Sequence, residues 1–397
     1  PDVLWPIGWV QAMKTQQLLS LSRRDFLRTS VGAGTAAALF SMSSTRALCT
    51  PPTPMGKVVV ITFGGGARDD ETFSLNGQRN IPHLLEELAP QSCFFTQVVN
   101  RGILGHYVAT ASIATGVYET FDNFVEQSPE HPTAFEYFRR DRRRPREDAW
   151  VIAPSAGFAQ MGSSQNKLYG PEKGAEVVLP KQLLASVLGP SSPGQGRGID
   201  TLDLLRDSYE RPSAQRAPGA TAAESDHLLA RLKMDPKELE AQALTLASPD
   251  ELSVYFAKHV MRQFAPSLLF LTLHDIDIAH SGAFSLYLEG IQRTDRLCSE
   301  IWREIQSNPE YKDKTTLMIL PDFGRDGDGE PGGNGFQHHR TGGAEARTTW
   351  LMALGPGIRQ KTVVDRAIEP IDVVPTIGGL LGFDAAQSQG KRIVELR

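Results

Sequence analysis

The chain has 397 residues, 40% of them hydrophobic and 22% charged, with 41 Lys+Arg against 46 Asp+Glu and a formal net charge of −5. That composition excludes wholesale disorder and collagen-like repeats, allows one large or two medium domains, and lacks the basic excess of a nucleic-acid binder. Three cysteines (Cys49, Cys93 and Cys298) are too few for a disulfide framework or a cysteine-only zinc site, so any bound metal must rest on Asp, Glu and His.

The N-terminus reads as an export address. Ser22-Arg23-Arg24-Asp25-Phe26-Leu27-Arg28 is followed by a weakly apolar, small-residue stretch over 31–40 and then by Thr45-Arg46-Ala47, a small-x-small cleavage pattern. Paired arginines, a Phe-Leu pair and a short apolar run in that order predict a twin-arginine signal over 1–47, with Met13 as the start of translation. The apolar run falls short of the about 20 residues a membrane span needs, so no stable transmembrane span is expected. The twin-arginine export machinery is therefore an expected partner, and the periplasm or another exported compartment the expected location.

Residues 57–63 (KVVVITF) form a β-branched run ending in Gly64-Gly65-Gly66, which predicts a buried strand running into a loop. Helical spacing follows over 81–88. The basic run 139–146 has no interleaved aromatics and predicts a solvated surface, not a nucleic-acid site. The region 139–250 is expected to be a cap or insertion on the core, with a Pro-, Gly-, Ser- and Arg-rich stretch over 188–219 and a polar helical stretch over 222–246 capped near Asp235-Pro236. Further strand-like runs occupy 267–273, 315–320 and 348–354, and 287–305 places Leu288, Ile291, Leu297, Ile301 and Ile305 on one helical face. Strands alternating with helices predict a single α/β domain over 48–397 with a mostly parallel sheet. Ligands of such sheets bind beyond the carboxyl ends of the strands, so the loops after these four runs are where chemistry is expected.

Those loops are rich in ligand-type side chains. Asp275, Asp277 and His280 follow the run at 267–273, while Asp322, an acidic glycine-rich loop over 325–335, His338, His339 and Arg340 follow the run at 315–320. Carboxylates and imidazoles converging at strand ends suit a divalent ion, and zinc, manganese, iron or calcium are not distinguished by these residues. Other motifs fail on spacing. Asp322-Phe323-Gly324 lacks a companion nucleotide loop, and Asp326, Asp328 and Glu330 are followed by Pro331 where a calcium loop needs its glycine.

The order of motifs resembles the alkaline phosphatase superfamily, which includes sulfatases and phosphodiesterases. The resemblance rests on the opening strand and glycine turn, Asn80-Ile81-Pro82-His83-Leu84 and Ala111-Ser112-Ile113-Ala114-Thr115-Gly116. It continues through Ala279-His280-Ser281-Gly282, Asp322-x-Gly324 and His338-His339, and ends on Gly355-Pro356-Gly357-Ile358 and the segment 371–382 (IDVVPTIGGLLG). It covers roughly 57–383, with the middle insertion unmatched, and implies an α/β/α sandwich.

The resemblance also implies a hydrolase of phosphate or sulfate esters with one or two metals per chain. Its first metal set falls on Asp275 or Asp277, His280, and His338 or His339. Of the second, Asp322 remains, whereas Gly64 and Phe323 stand where the family carries ligands. The nucleophile position falls near His106, which is expected to act as nucleophile or general base, with Asp69, Asp70 or Thr72 as neighbouring substitutes. Arg101 and Arg340 are expected to steady a small anionic ester substrate. The alternative is a degenerate member of the same fold that binds or scaffolds without cleaving.

Overall fold

A computed structural model of the chain describes residues 56–123, 127–188 and 222–396. The expected signal over 1–47, and the stretch 188–219 beyond its first residue, lie outside the described residues.

In chain order the elements are β1 (Lys57–Phe63), a π-helical turn (His83–Leu88), β2 (Ser92–Val99), α1 (His106–Thr115), α2 (Ala134–Asp141), β3 (Ala149–Ile152) and β4 (Glu176–Val178). Then come α3 (Pro180–Leu188), α4 (Ala222–Leu232), α5 (Pro236–Ala243), α6 (Pro249–Phe264), β5 (Leu268–Leu273) and a 3-10 stretch (Asp275–Ser281). The chain continues through α7 (Phe284–Ser307), β6 (Thr315–Leu320), α8 (Ala344–Arg347), β7 (Thr348–Leu354), β8 (Thr362–Val364) and α9 (Val373–Leu381).

The strands form one sheet in the order β4-β3-β5-β1-β6-β7-β2-β8. β1 lies at its centre, parallel to both β5 and β6, and is apolar throughout because both its faces are covered. Val59, Ile61 and Phe63 enter one core with residues of α6 and α7, while Val58 and Val60 enter the other with residues of α1, α2 and α9. The α/β/α sandwich around a mostly parallel sheet is thus what forms. The segment 139–250 supplies β3 and β4 to the sheet before its helices begin, so its first part is built into the sheet. Its basic run is surface, with Arg140, Arg142, Arg143, Arg144 and Arg146 exposed and Arg144 and Arg146 paired to Asp148 and Glu176. The expected cap at Asp235 is present, its carboxylate accepting the N–H groups of Lys237 and Glu238.

One strand departs from expectation. β7 runs antiparallel to both β6 and β2, with Leu354 opposite Leu317 and Thr348 opposite Val99. The loop after β7 therefore lies away from the carboxyl edge of the parallel strands. The loop before β7, which carries His338 and His339, reaches that edge instead, as does the segment after β2 that leads into α1.

Cys93 and Cys298 are buried and free. Among the described residues no helix is long and apolar enough to cross a membrane.

Trp350 on β7 is 1% exposed and packs against Phe63 and Phe73 at 5.4 Å and Phe94 at 5.9 Å between ring centroids. Trp350→Ala is expected to lower unfolding stability by about 3–5 kcal/mol, read as a drop in the urea midpoint at unchanged slope. A loss under about 1 kcal/mol would mean that this cluster does not hold β7 to the core.

Candidate metal centre

The 3-10 stretch after β5 decides which acidic residue faces the sheet edge. With about three residues per turn, positions three apart eclipse, so Asp277 and His280 project the same way and Asp275 does not. Asp275 instead bonds Arg293 of α7 at 3.1 Å and sits beside Asp250 at the start of α6. The Asp250 carboxylate accepts the backbone N–H groups of His274 and Asp275 at 2.8 Å, which pins the start of the stretch. Burial, reinforced by the neighbouring Asp275, pushes the Asp250 carboxyl well up from its ordinary value. Of the two candidate carboxylates, Asp277 is the one at the cluster.

His106 opens α1 and is buried between two acids. Its Nδ1 lies 2.5 Å from Asp322 Oδ2 and its Nε2 lies 3.0 Å from Asp277 Oδ1. Phe323 stacks on the His106 ring at 4.5 Å and meets the His339 ring at a tilt of 47° and 4.6 Å, so the apolar residue beside Asp322 walls two imidazoles. His280 Nε2 is 3.1 Å from Asp277 Oδ1 and 3.2 Å from His339 Nε2. One ligand atom from each of His106, Asp277, His280 and His339 falls within 4.8 Å of all the others. Asp322 stands behind His106, and His338 stands behind His280, their Nδ1 atoms 3.0 Å apart. These two act on the cluster through its members.

His106 therefore lacks a free ring nitrogen with which to attack or abstract a proton. Its placement is inside the donor cluster. Burial alone would lower its pKa, but Asp322 and Asp277 on either side outweigh that and raise it to about 9. Burial also opposes the charge of Asp277, yet the His106 imidazolium and the bonds from His106 and His280 hold its carboxyl well below the ordinary range. His339 goes the other way. Burial, with the charges of His106 and Arg325 nearby, pushes its pKa down to about 2, so it is a neutral imidazole.

The remaining expected residues lie elsewhere. Arg101 is exposed and pairs with Glu369 at 2.8 Å. Arg340 has its side chain in solvent and gives its backbone N–H to Asp326 at 3.1 Å. Asp70 is exposed, and the Thr72 hydroxyl donates to the Arg68 carbonyl at 2.7 Å. Sequence reasoning missed Arg325. Its guanidinium is 0% exposed and donates to Asp277 Oδ1 at 2.9 Å. The available signal was its position directly after Asp322-Phe323-Gly324, in a loop otherwise acidic.

The same fold recurs in solved structures. A phosphonate monoester hydrolase from Silicibacter pomeroyi aligns over 85% of this chain and 75% of its own, at TM-score 0.52 and 15% identity. The fold is alkaline-phosphatase-like. The alkaline phosphatase PafA aligns over 87% of this chain and 100% of its own, at TM-score 0.52 and 12% identity. A 2-O GAG sulfatase aligns over 85% and 73% respectively, at TM-score 0.51 and 13% identity. No family model and no curated protein matches the sequence.

Because the folded pKa of His106, about 9, exceeds its ordinary value of 6.5, its charge stabilises the metal-free fold below pH 6.5, and that contribution is lost as pH rises through 9. Unfolding stability of the metal-free chain should fall over that interval by up to about 3 kcal/mol, and His106→Gln should remove this part of the slope. Zinc uptake should run oppositely, since the proton on His106 Nε2 must leave first. Its apparent affinity should rise with pH by up to about tenfold per pH unit below 9. An affinity independent of pH in equilibrium dialysis would refute the placement of His106 among the ligands.

Proposed function

We propose that this chain is an exported hydrolase of phosphate or sulfate esters that works with one divalent ion, held by His106, Asp277, His280 and His339. The observation that carries the reading is the four-donor cluster within 4.8 Å at the carboxyl edge of the central strands. Three imidazole nitrogens and one carboxylate suit zinc, manganese or iron, whereas calcium takes oxygen ligands. The hydrogen bond that His106 Nδ1–H donates to Asp322 turns Nε2 toward the cluster, the usual arrangement of a carboxylate behind a metal-binding histidine. The solved structures of this fold named as a phosphonate monoester hydrolase, an alkaline phosphatase and a sulfatase support the substrate class.

When bound, a divalent ion supplies Lewis-acid polarisation of a phosphoryl or sulfuryl oxygen and acidifies water. Arg325 donates to Asp277 and keeps that carboxylate in one orientation. Phe323 shields the flank of His106 and His339 from solvent. With both His106 nitrogens engaged, the attacking group is water and not the side chain at position 106. The Ser22–Arg28 pattern supports export by the twin-arginine machinery to the periplasm. The alternative, a scaffold that binds an ion without cleaving, is favoured by Gly64 and Phe323 standing where the resemblance puts second-metal ligands.

Metal analysis and turnover of aryl phosphate and aryl sulfate esters separate the two readings. The hydrolase reading expects one metal equivalent per chain, and loss of metal together with activity by about 10²-fold or more in His280→Ala and His339→Ala. Asp275→Asn should keep its metal and Asp277→Asn should lose it. Full metal occupancy with no turnover of any aryl ester would establish the scaffold instead.

A further inference from the structure

A second surface lies at the other edge of the sheet. The basic run 139–146 leads from α2 into β3, whose first residue, Ala149, pairs with Leu268 at the start of β5. It therefore sits at the amino edge of the parallel strands, away from the four-donor cluster. The loop 166–173 lies against it. The Arg140 guanidinium is 4.4 Å from the centre of the Tyr169 ring and donates to the Tyr169 hydroxyl, and Arg139 donates to the Gly174 carbonyl. Segment 384–387 joins the two, since the Asp384 N–H donates to Asp141 at 3.3 Å and Asn166 donates to Gln387 at 3.3 Å.

Arg142, Arg143, Lys167 and Lys173 are exposed and make no ion pair among the described residues. Of the acids around them, Asp141 is tied to Arg140 at 2.7 Å, and Glu172 and Asp384 are exposed. Leu168 is 77% exposed, more than any other large apolar side chain among the described residues. Its loop is nonetheless fixed. Glu136 is 0% exposed, and its carboxylate accepts the Ser164 hydroxyl at 2.9 Å and the Gly170 N–H at 2.8 Å. Asn166 Oδ1 accepts the Leu168 N–H at 3.0 Å. Burying a carboxylate is costly unless it is well bonded, and this one is bonded to the loop that holds Leu168 in water.

We propose that this surface docks on a bilayer of anionic lipid. Leu168 enters the boundary between headgroups and acyl chains, Tyr169 lies at the interface, and the four unpaired cations meet lipid phosphates. The combination selects the partner. Cations alone would suit any polyanion, but a protruding leucine gains nothing from a nucleic acid, and the Tyr169 ring already carries Arg140 on one face, where a base would have to stack. A bilayer rewards both, since it offers apolar depth to the leucine and surface charge to its neighbours. Docking of this kind leaves the metal centre open, because the basic run and the cluster occupy opposite edges of the sheet, and it does not depend on the hydrolase reading.

The test is cosedimentation of the full chain with vesicles of phosphatidylglycerol and phosphatidylcholine in equal parts, against phosphatidylcholine alone, at about 0.1 M salt. The apolar stretch over 31–40 also offers lipid a surface, so the readout is the difference between each variant and the parent chain. A cation beside a charged bilayer is worth about fivefold in affinity. Arg142→Gln with Arg143→Gln is therefore expected to weaken binding to the mixed vesicles by about tenfold or more, and Lys167→Gln with Lys173→Gln to do the same. Leu168→Ser should weaken it by about tenfold. All five side chains are in solvent, so the melting temperature should not move; if one pair fails to melt cooperatively, the other decides. Variants that bind the mixed vesicles as tightly as the parent would overturn the proposal. So would a loss in both cation pairs with Leu168→Ser unchanged, which would assign the surface to a soluble polyanion.

Discussion

The Arg325–Asp277 contact is the interaction on which the site's architecture depends. A fully buried guanidinium is tolerable only when its donors are met and its charge has a partner, and breaking such a pair by removing one member typically costs about 3–5 kcal/mol. Meeting those donors draws three loops together. The glycine turn after β1 supplies the carbonyls of Gly65 and Gly66, the 3-10 stretch after β5 supplies Asp277, and the loop after β6 supplies Arg325 itself with the carbonyls of Phe336 and Gln337. The glycines serve this approach. Gly65 has φ +93°, and a Cβ there would come within 2.5 Å of the Asp277 backbone nitrogen, while at Gly66, with φ +70°, it would meet the Gly324 carbonyl at 2.8 Å. Gly64-Gly65-Gly66 is therefore a closure between strand ends.

The sheet makes this closure possible because β5, β1 and β6 are adjacent and parallel, so their three following loops emerge side by side. The third of these loops also carries His339, because β7 is antiparallel and begins at the same edge, so the whole connection from β6 to β7 stays there. A fourth segment, the one after β2, brings His106 at the first turn of α1. Four chain segments thus meet at one edge, each delivered by strand direction.

Much of the fold was legible because fully buried parallel strands have an unbroken apolar signature. The runs at 57–63, 315–320 and 348–354 coincide with β1, β6 and β7, and 267–273 exceeds β5 by one residue. β3, β4 and β8 were not legible, being three or four residues long, nor was β2, whose eight residues mix polar and apolar types. The direction of β7 was invisible in principle, since apolar periodicity carries no sign along the chain. At the site, residue type was readable but geometry was not. Asp275 and Asp277 are equivalent by spacing and are separated by the local helical pitch. Arg101 and Arg340 drew a substrate role as cations near ligand-type residues, yet Arg101 meets Glu369, 268 positions away in sequence. Arg325 was overlooked because arginine is seldom buried without a partner, and its partners, Asp277 and four backbone carbonyls, are spread over three loops.

Phe323 and Arg325 together leave little room for a second ion beside the four-donor cluster. An aromatic ring at 323 offers no donor atom, and it fills the space between His106 and His339 with apolar surface in contact with both rings. Two residues later, a guanidinium Nη2 occupies the approach to Asp277 Oδ1 that a bridging ion would need. An ion there would have to displace a cation that makes four other hydrogen bonds, and would meet the apolar ring of Phe323. The positive charge that a second ion would bring is already present, attached to the chain and independent of metal supply. His106 can stand between two carboxylates because its two ring nitrogens bond Asp322 and Asp277 at once, while Arg325 also donates to Asp277.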